Sequence, residues 1–473
     1  SIAIRICSTR KKPKDAKALG EEIASTLPTS EIVDSCSVTG PGFINVVISA
    51  DWMAKSIERM LVNGIETWAP TLSVKRAVVD FCSPNIAKQM HGTQFGMLIE
   101  HLFESGSADS LTTIEDLQSL YRQSKDRFTT DPVFKAKAQQ AVVRLQGGDL
   151  VYLKPWARIC EISRAECAKA IQRLHIEQLE EKGESFYQPY IPNLVKDLDS
   201  MGLIEEDDGA RVIYIQGFAV PLMLVKSDGG FSYDTTDLSA LWYRLYEEIA
   251  EWIVYVTDAG QQDPFYRLFG AARKVGLLPS SANTYPLTSH AKNRSKAALI
   301  KRAEEKEIKW TLEELDQTSE AVGYGAVKYA DLKNNRSTSY AFNYDLMLSD
   351  KGNTAVYLLY TYTPIHSIIR MSGKDIDELK KTGKIALDLA DERALGLGLV
   401  QFPETVEEAC TKLLPNLLCE YLYNLSELCT KFYTSCKVNG SVEETSRLLL
   451  CEATATVMVK CFHLLGITPV YKM

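Results

Sequence analysis

Three short segments of the sequence carry side chains that could bind a small cationic ligand. The segments are DFCSPN (80–85), SYDTTDLSALWYRL (232–245) and TDAGQQ (257–262), and they contain Asp80, Asn85, Tyr233, Asp237 and Gln261. Carboxylates bind guanidinium groups in bidentate geometry, whereas amides and a phenol orient the rest of a polar ligand. Open α/β sheets bind ligands beyond the carboxyl ends of their strands, where these segments would meet. The combination predicts a site for a cationic substrate.

Each of these side chains also has a purely structural interpretation. Asp237 directly precedes an apolar helical pattern, so as a single residue it is more typical of a helix N-cap. Asn85 after a proline is typical of a turn, and Gln261 of a loop. Tyr233 is typical of a half-buried strand position. Only their joint placement favours a binding site, and the two interpretations are evenly balanced on this evidence.

The elements that must position these segments alternate between short strands and helices. RAVVDF (76–81) and AEWIVYVTDAG (250–260) are predicted strands, and residues 210–233 a β-excursion. Helical stretches between such strands predict a parallel α/β sheet. Residues 1–73 predict a small α+β unit with a strand in VTGPGFINVVIS (38–49) and an amphipathic helix in WMAKSIERMLV (52–62). From about residue 346 the pattern is helical, and Ser441 with Glu444 predicts a capping box.

Composition excludes several classes of protein. The 473 residues, 45% hydrophobic and 24% charged, are typical of a globular chain of two or three domains. The sequence lacks an apolar run of the roughly 20 residues needed to span a membrane. The eleven cysteines form no CxxC or zinc-type spacing, which favours reduced thiols in a cytosolic or organellar interior, without a metal site. The net charge of −8 limits nucleic-acid binding to local surfaces.

Several ordered blocks resemble the arginyl-tRNA synthetase family, a class I aminoacyl-tRNA synthetase family. VVDFCSPNIAKQMH (78–91) is similar to its signature, in which an acidic strand leads to the first His of the His-Ile-Gly-His motif. The later blocks follow in family order: GTQFGMLIEHLF (92–103), YDTTDLSALWYRL, EWIVYVTDAGQQ, EAVGYGAVKYADLKNNR (320–336) and DKGNTAVYLLY (350–360). GPGFINVVIS and the terminal LGITPVYKM resemble the two ends of the family. The blocks cover nearly the whole chain and are most similar to eukaryotic, plant-like members.

The resemblance implies a fold and an activity. The fold would be α/β: a Rossmann-type catalytic domain (74–345), an N-terminal α+β add-on domain (1–73) and a C-terminal all-α anticodon-binding domain (346–473). The enzyme would join L-arginine to its tRNA through an arginyl-adenylate. ATP would be a substrate, with Mg²⁺, and the chain would hold no tightly bound cofactor and no metal site. We expect a cytoplasmic monomer without membrane contact, and leave organellar targeting and a trimmed N-terminus open.

The resemblance also implies a role for individual residues. Asp80, Asn85, Tyr233, Asp237 and Gln261 would hold arginine, with the carboxylates on its guanidinium or amino group. His91, which by itself is typical of a structural or exposed histidine, would stabilise the ATP phosphates during adenylation. Phe43 and Asn45 would contact the D-loop of the tRNA.

Two family segments are absent from the sequence. After His91, the family continues with Gly-His-Leu, a helix and a strand, a unit of about 30 residues, whereas here Gly92 follows. After His290, the segment with the counterpart of the Lys-Met-Ser-Lys-Ser loop is missing before Ala291. Pro264 stands where the family usually has a His, and Pro364 where it usually has an Arg. Relaxed constraint and a local bend both explain these prolines.

Two hypotheses explain the junctions His91–Gly92 and His290–Ala291, which we call the first and second seams. A truly shortened chain, from altered splicing or a degenerate paralog, would lack both phosphate-binding motifs and would bind tRNA or a protein partner without charging. Alternatively, the segments are present in the molecule and absent only from the numbering. A Cα–Cα distance of about 3.8 Å across each seam would show a continuous chain. The sequence as written favours the shortened chain slightly.

Overall fold

The computed structural model describes residues 16–81, 92–106, 112–176, 179–258, 262–279, 287–289, 312–338, 340–341 and 343–470. Asn85, His91 and Gln261 lie outside these residues. Of the four residues that form the two seams, Gly92 alone is described. The chain forms two compact units, residues 1–72 with 292–473 and residues 73–291. None of the described helices is long and apolar enough to cross a membrane.

The N-terminal part is a β-hairpin between two helices. Its elements are α1 (Ala16–Thr26), β1 (Val33–Thr39), β2 (Phe43–Ile48) and α2 (Ala50–Asn63), followed by a 3₁₀ turn at Ile65–Trp68. The antiparallel pair turns through Gly40 and Gly42, at φ 55° and 107°, conformations that favour glycine. Ser49 caps α2 by accepting a hydrogen bond from the Trp52 amide. The predicted strand and amphipathic helix are both confirmed.

The second unit contains two small sheets and seven helices among its described residues. The strands are β3 (Ala77–Asp80), β4 (Glu205–Asp207), β5 (Ala210–Ile213), β6 (Leu222–Val225), β7 (Trp252–Asp258) and β8 (Leu287–Ser289). The helices are α3 (Gly92–Ser105), α4 (Ile114–Thr130), α5 (Pro132–Gln146), α6 (Leu150–Arg173), α7 (Ile191–Ser200), α8 (Tyr233–Tyr246) and α9 (Gln262–Lys274), with a 3₁₀ helix at Glu184–Tyr190. One sheet is parallel with order β3-β7-β8, and the other is antiparallel with order β4-β5-β6. The parallel sheet and the β-excursion are confirmed.

Two hydrophobic cores hold this unit. Leu238 and Leu241 of α8 pack with Tyr255 of β7 and Phe269 of α9, which joins the parallel sheet to its helices. A second core lies among α3 to α6 and includes Leu98, Leu117 and Ile159. There α3 approaches α5 so closely that a Cβ on Gly96 would lie 2.0 Å from the Ala138 carbonyl oxygen.

The C-terminal part is helical, as predicted. It comprises α10 (Leu312–Leu332), α11 (Tyr344–Met347), α12 (Ala355–Ser372), α13 (Ile376–Thr382), α14 (Ala390–Val400), α15 (Phe402–Lys412), α16 (Pro415–Ser435) and α17 (Glu444–Leu464). Its core contains Tyr362, Phe432 and Phe462 and takes in Ile57 and Met60 of α2. Arg447 of α17 forms a buried ion pair with Glu392 of α14 at 2.9 Å.

Three local expectations change with the structure. The predicted capping box is wrong, because the Ser441 hydroxyl donates to the Val438 carbonyl and the Glu444 carboxylate accepts from the Gly440 amide. Pro264 occupies the first turn of α9, where an amide has no partner within the helix, so it costs little there. Pro364 lies inside α12, which continues to Ser372.

Candidate arginine and tRNA sites

The carboxyl end of β3 brings Asp80 beside the central strand of the parallel sheet. Asp80 pairs in register with Tyr255 of β7. Its Oδ2 atom lies 2.9 Å from Nη2 of Arg244, which reaches across from α8. The Arg244 side chain is 8% exposed and that of Asp80 is 41% exposed. One carboxylate oxygen of the partly exposed Asp80 is therefore already bonded to the buried guanidinium of Arg244.

The start of α8 presents Tyr233 and Asp237 on one face. Ser232 is the N-cap, with Thr235 completing the capping box. Asp237 therefore lies in the second turn, so its interpretation as an N-cap is wrong. Tyr233 is the first helical residue and is 44% exposed, so its interpretation as a half-buried strand residue is wrong as well. Residues four apart share a helix face, which places both side chains together.

Asp237 is a recessed carboxylate that water can still reach. Its side chain is solvent-accessible, yet the surrounding protein desolvates it and raises its pKa to about 7. Glu184, Asp234 and Asp80 raise the same pKa further by charge repulsion, and Arg244 lowers it. Burial also raises the pKa of Glu184 and of Asp234. We refer to Asp80, Glu184, Asp234 and Asp237 as the acidic recess.

Among the described residues, Arg244 is the arginine that bonds to the acidic recess, and aromatic rings flank its guanidinium. The guanidinium carbon of Arg244 lies 5.0 Å from the ring centre of Tyr255 and 5.8 Å from that of Tyr187. Arg244 Nη2 donates to the Tyr187 hydroxyl at 3.4 Å. The Tyr255 hydroxyl is buried and makes no hydrogen bond to any described residue. Within the described part of the chain, Arg244 is the cation that forms an ion pair with the acidic recess. Lys226 and Arg267 act on Glu184 and Asp234 through their charge.

The described residues contain no group of three or more His, Cys, Asp or Glu side chains that could hold a metal ion. Carboxylates outside such a cluster can still bind an extended cation with several N–H donors, such as a guanidinium.

The β1–β2 hairpin has one covered and one open face. Helix α1 packs on the face of Val38, whose Cγ1 atom would lie 3.0 Å from a Cβ on Gly20. Phe43 and Asn45 lie on the opposite face, across from Thr39 and Ser37 in the strand register. Phe43 is 48% exposed, and the Asn45 amide donates to the Thr39 hydroxyl at 3.0 Å. The open face therefore offers one aromatic ring with neutral polar groups beside it.

The structure brings together the described arginine-site residues that the sequence predicted, namely Asp80, Tyr233 and Asp237. Sequence reasoning missed Glu184, Tyr187 and Arg244. No local spacing links Glu184 or Tyr187 to the predicted segments, since both lie on a 3₁₀ helix well before α8. Arg244 is in the predicted segment, seven residues after Asp237 and on the same helix face; the helical period was the signal that could have identified it.

Three family models match the chain in order. The model for the arginyl-tRNA synthetase N-terminal domain matches residues 2–48. The catalytic domain of class I tRNA synthetases (R) matches residues 92–288 and 284–344, and the DALR anticodon binding domain matches residues 358–473. The chain is 61% identical to the chloroplastic/mitochondrial arginine–tRNA ligase of Arabidopsis thaliana, with 97% of this chain and 82% of that protein covered.

The chain belongs to the arginyl-tRNA synthetase family. The cytoplasmic arginine–tRNA ligase of Arabidopsis thaliana is 62% identical over 96% of this chain and 88% of its own length. The arginyl-tRNA synthetase of Plasmodium falciparum has the same fold, with a TM-score of 0.86, 30% identity, and coverage of 100% of this chain and 92% of that chain. The arginyl-tRNA synthetase of Thermus thermophilus shares the fold at a TM-score of 0.76 and 19% identity, over 99% and 93% of the two chains.

The arginyl-tRNA synthetase relatives are longer inside the matched region. The match with the chloroplastic/mitochondrial relative runs over 526 aligned positions, more than the 473 residues of the whole chain. The match with the cytoplasmic relative runs over 522 positions. Both relatives therefore carry internal residues that have no counterpart here.

Proposed function

We propose that the acidic recess binds L-arginine for the arginine–tRNA ligase reaction of this family. The observation that carries the proposal is the Asp237 carboxylate, which water reaches although the surrounding protein desolvates it. Desolvation and, after it, three neighbouring carboxylates raise its pKa to about 7. A carboxylate kept in such surroundings gains strongly from a cationic ligand. Tyr233, one helical turn away, would orient that ligand through its hydroxyl. Asn85 and Gln261 complete the proposed arginine site.

A comparison of arginine with citrulline tests this site. Citrulline has a neutral ureido group of nearly the same shape as the guanidinium, so calorimetric titration of both against the 473-residue chain isolates the contribution of charge. We expect arginine to bind and citrulline to bind at least tenfold more weakly, a difference of about 1.4 kcal/mol. Equal binding of the two, or binding of neither, would contradict recognition by the carboxylates.

ATP is the second substrate of this class, and we propose that it enters with Mg²⁺ as its complex. Mg²⁺ commonly binds through substrate phosphates and only one or two carboxylates, which agrees with the absence of a three-residue metal cluster among the described residues. His91 would stabilise the phosphates during adenylation. The proposed division into domains 1–73, 74–345 and 346–473 gives this reaction to the middle domain.

One observation motivates a second candidate, a shortened chain that binds tRNA or a protein partner without charging. The first match of the catalytic-domain model begins at residue 92, directly after the first seam. The second match begins at residue 284 and overlaps the first over residues 284–288, shortly before the second seam. The relatives also carry additional residues within the aligned region. A chain shortened there would lack the second half of the His-Ile-Gly-His motif and the lysine-rich loop counterpart, which act on ATP.

Two assays separate the candidates. Arginine-dependent exchange of pyrophosphate into ATP reports adenylation, and attachment of labelled arginine to its tRNA reports the complete reaction. Both activities from a chain of verified mass would establish the ligase and show that the missing motifs are dispensable. Arginine binding and tRNA binding with neither activity would establish the second candidate.

Assembly and compartment are further parts of the proposal. We propose a cytoplasmic monomer, although the two Arabidopsis relatives, one organellar and one cytoplasmic, match almost equally well. Sedimentation velocity of the purified chain tests the first statement. Imaging of the full gene product with its natural N-terminus tests the second.

A further inference from the structure

Arg244 is a buried cation that the proposed arginine site does not use for ligand binding. It lies on the same face of α8 as Tyr233 and Asp237, at helical spacing from both. Its one charged contact within 4 Å among described residues is Asp80, at 2.9 Å. The rings of Tyr187 and Tyr255 flank its guanidinium and limit its movement.

We propose that Arg244 is a positioning residue of the arginine site, which holds Asp80 in place and offsets part of the negative charge around Asp237. This inference rests on the arginine site proposed above. One oxygen of Asp80 is bonded to Arg244 at 2.9 Å, whereas Asp237 forms no ion pair with any described residue and Arg244 acts on it only through its charge. The two acids of the predicted site therefore have different roles.

The ion pair between Arg244 and Asp80 also reduces the net negative charge of the acidic recess. Without a cation, four neighbouring carboxylates could not all remain ionised, because like charges at close range favour protonation. Arg244 offsets part of this repulsion from a fixed position, since its guanidinium is always charged and is held by the tyrosines. It thereby keeps Asp237 available as an anion near neutral pH.

Groups from five elements face Asp237 or its acidic neighbours and enter its titration. Asp80 comes from β3 and Tyr255 from β7, and the 3₁₀ helix supplies Glu184. Asp234 and Arg244 share α8 with Asp237, Arg267 of α9 acts on Asp234, and Lys226, directly after β6, acts on Glu184. Of these groups, Arg244 is the one cation that acts on Asp237 directly among the described residues.

Substitution of Arg244 tests the inference through the pH dependence of arginine binding. Arg244→Met removes the charge, Arg244→Lys retains it, and Arg211→Met is the matched control, because Arg211 pairs with the exposed Asp199 at 2.8 Å. Circular dichroism and thermal melting establish that each variant is folded. Calorimetry between pH 5.5 and pH 9.5 then gives the affinity for arginine.

We expect Arg244→Met to move the midpoint of the binding curve upward and to lower the affinity at pH 7 by about tenfold for each unit of that move. Arg244→Lys should keep the wild-type midpoint but show a lower affinity at the alkaline plateau, because an ammonium cannot hold Asp80 through a planar fork. A folded Arg244→Met chain with wild-type midpoint and plateau would overturn the inference. If Arg244→Met does not fold, a wild-type plateau in Arg244→Lys would overturn it.

A ligand-free measurement distinguishes failure of this inference from failure of the arginine site. The carboxyl carbon of Asp237 is titrated by NMR after selective ¹³C labelling of aspartate, with Asp237→Asn used for assignment. If the wild-type chain does not bind arginine, the proposed function is wrong. If Arg244 acts as we propose, the pKa of Asp237 is still higher in Arg244→Met than in the wild-type chain. An unchanged pKa would refute the role of Arg244.

Discussion

Tyr233 and Asp237 lie one helical turn apart on the same face of α8, and Asp237 stands in the second turn. Ser232 caps the helix, which leaves the Asp237 carboxylate free of a capping role. The position of the cap thus excludes helix capping as the role of Asp237 and leaves its carboxylate available for the proposed ligand contact. The relationship leads to specific expectations for binding and for stability.

Replacement of Asp237 by Asn should weaken arginine binding while leaving the fold intact. Asn keeps the size of the side chain but cannot pair with a guanidinium charge, so we expect a loss of at least tenfold in affinity, or about 1.4 kcal/mol. Calorimetry with arginine measures the change. Asp197→Asn on α7 is the control, since Asp197 is an exposed aspartate of the same unit. Equal losses in both variants would count against a specific role for Asp237.

Arginine binding should weaken as the pH falls through about 7, because protonation of Asp237 removes its charge. The same group affects folding with the opposite sign. Its pKa is higher in the folded chain than the usual 3.8, so the folded state binds more protons between these values and its stability falls as pH rises from about 4 to about 7. Thermal melts of wild type and Asp237→Asn should therefore diverge toward pH 8, with the Asn variant the more stable. Parallel melting curves across this range would contradict the raised pKa.

Phe43→Ala should weaken tRNA binding without altering affinity for arginine. A stacked aromatic contact with a base contributes about 1–3 kcal/mol, and Phe43 lies on the open face of the hairpin. Filter binding or fluorescence anisotropy with the arginine tRNA measures the loss. Val46→Ala provides a matched control, because Val46 is 45% exposed in the same strand but lies on the alternate side. The proposed contact fails if the two variants bind tRNA equally well.

Arg447→Met should destabilise the helical C-terminal part. Arg447 donates from Nε to Glu392 and from Nη1 to the Lys437 carbonyl, both at 2.9 Å. Removing one partner of a buried ion pair costs about 3–5 kcal/mol, since the other charge stays buried. Urea denaturation monitored by circular dichroism gives the change in free energy of unfolding. The double variant Arg447→Met with Glu392→Met should recover part of the loss, and a double variant as unstable as the sum of its single changes would argue against a coupled pair.

The sequence by itself determined the family and the order of the elements, and it predicted the segments that we propose bind arginine. Strand and helix periodicity located β3, β7, α2 and the C-terminal helices, because side-chain burial imposes these periods on any chain with a core. Asp80, Tyr233 and Asp237 were predicted from the joint placement of their segments at strand and helix ends, whereas the local interpretations of Tyr233 as a strand residue and of Asp237 as an N-cap were wrong. The seams were visible as breaks in an ordered series of blocks.

Only the tertiary structure decided which groups act on one another. Arg244 could be assigned to Asp80, and Glu184 to the acidic recess, only after β3, α8 and the 3₁₀ helix were packed together. The predicted capping box of α17 likewise failed because Ser441 and Glu444 bond instead to the Val438 carbonyl and the Gly440 amide. Charge and hydrogen bonding act through space over a few ångströms, whereas sequence patterns report only the burial of each residue's own element. The family therefore follows from the order of residues, and the ionisation of Asp237 from their distances.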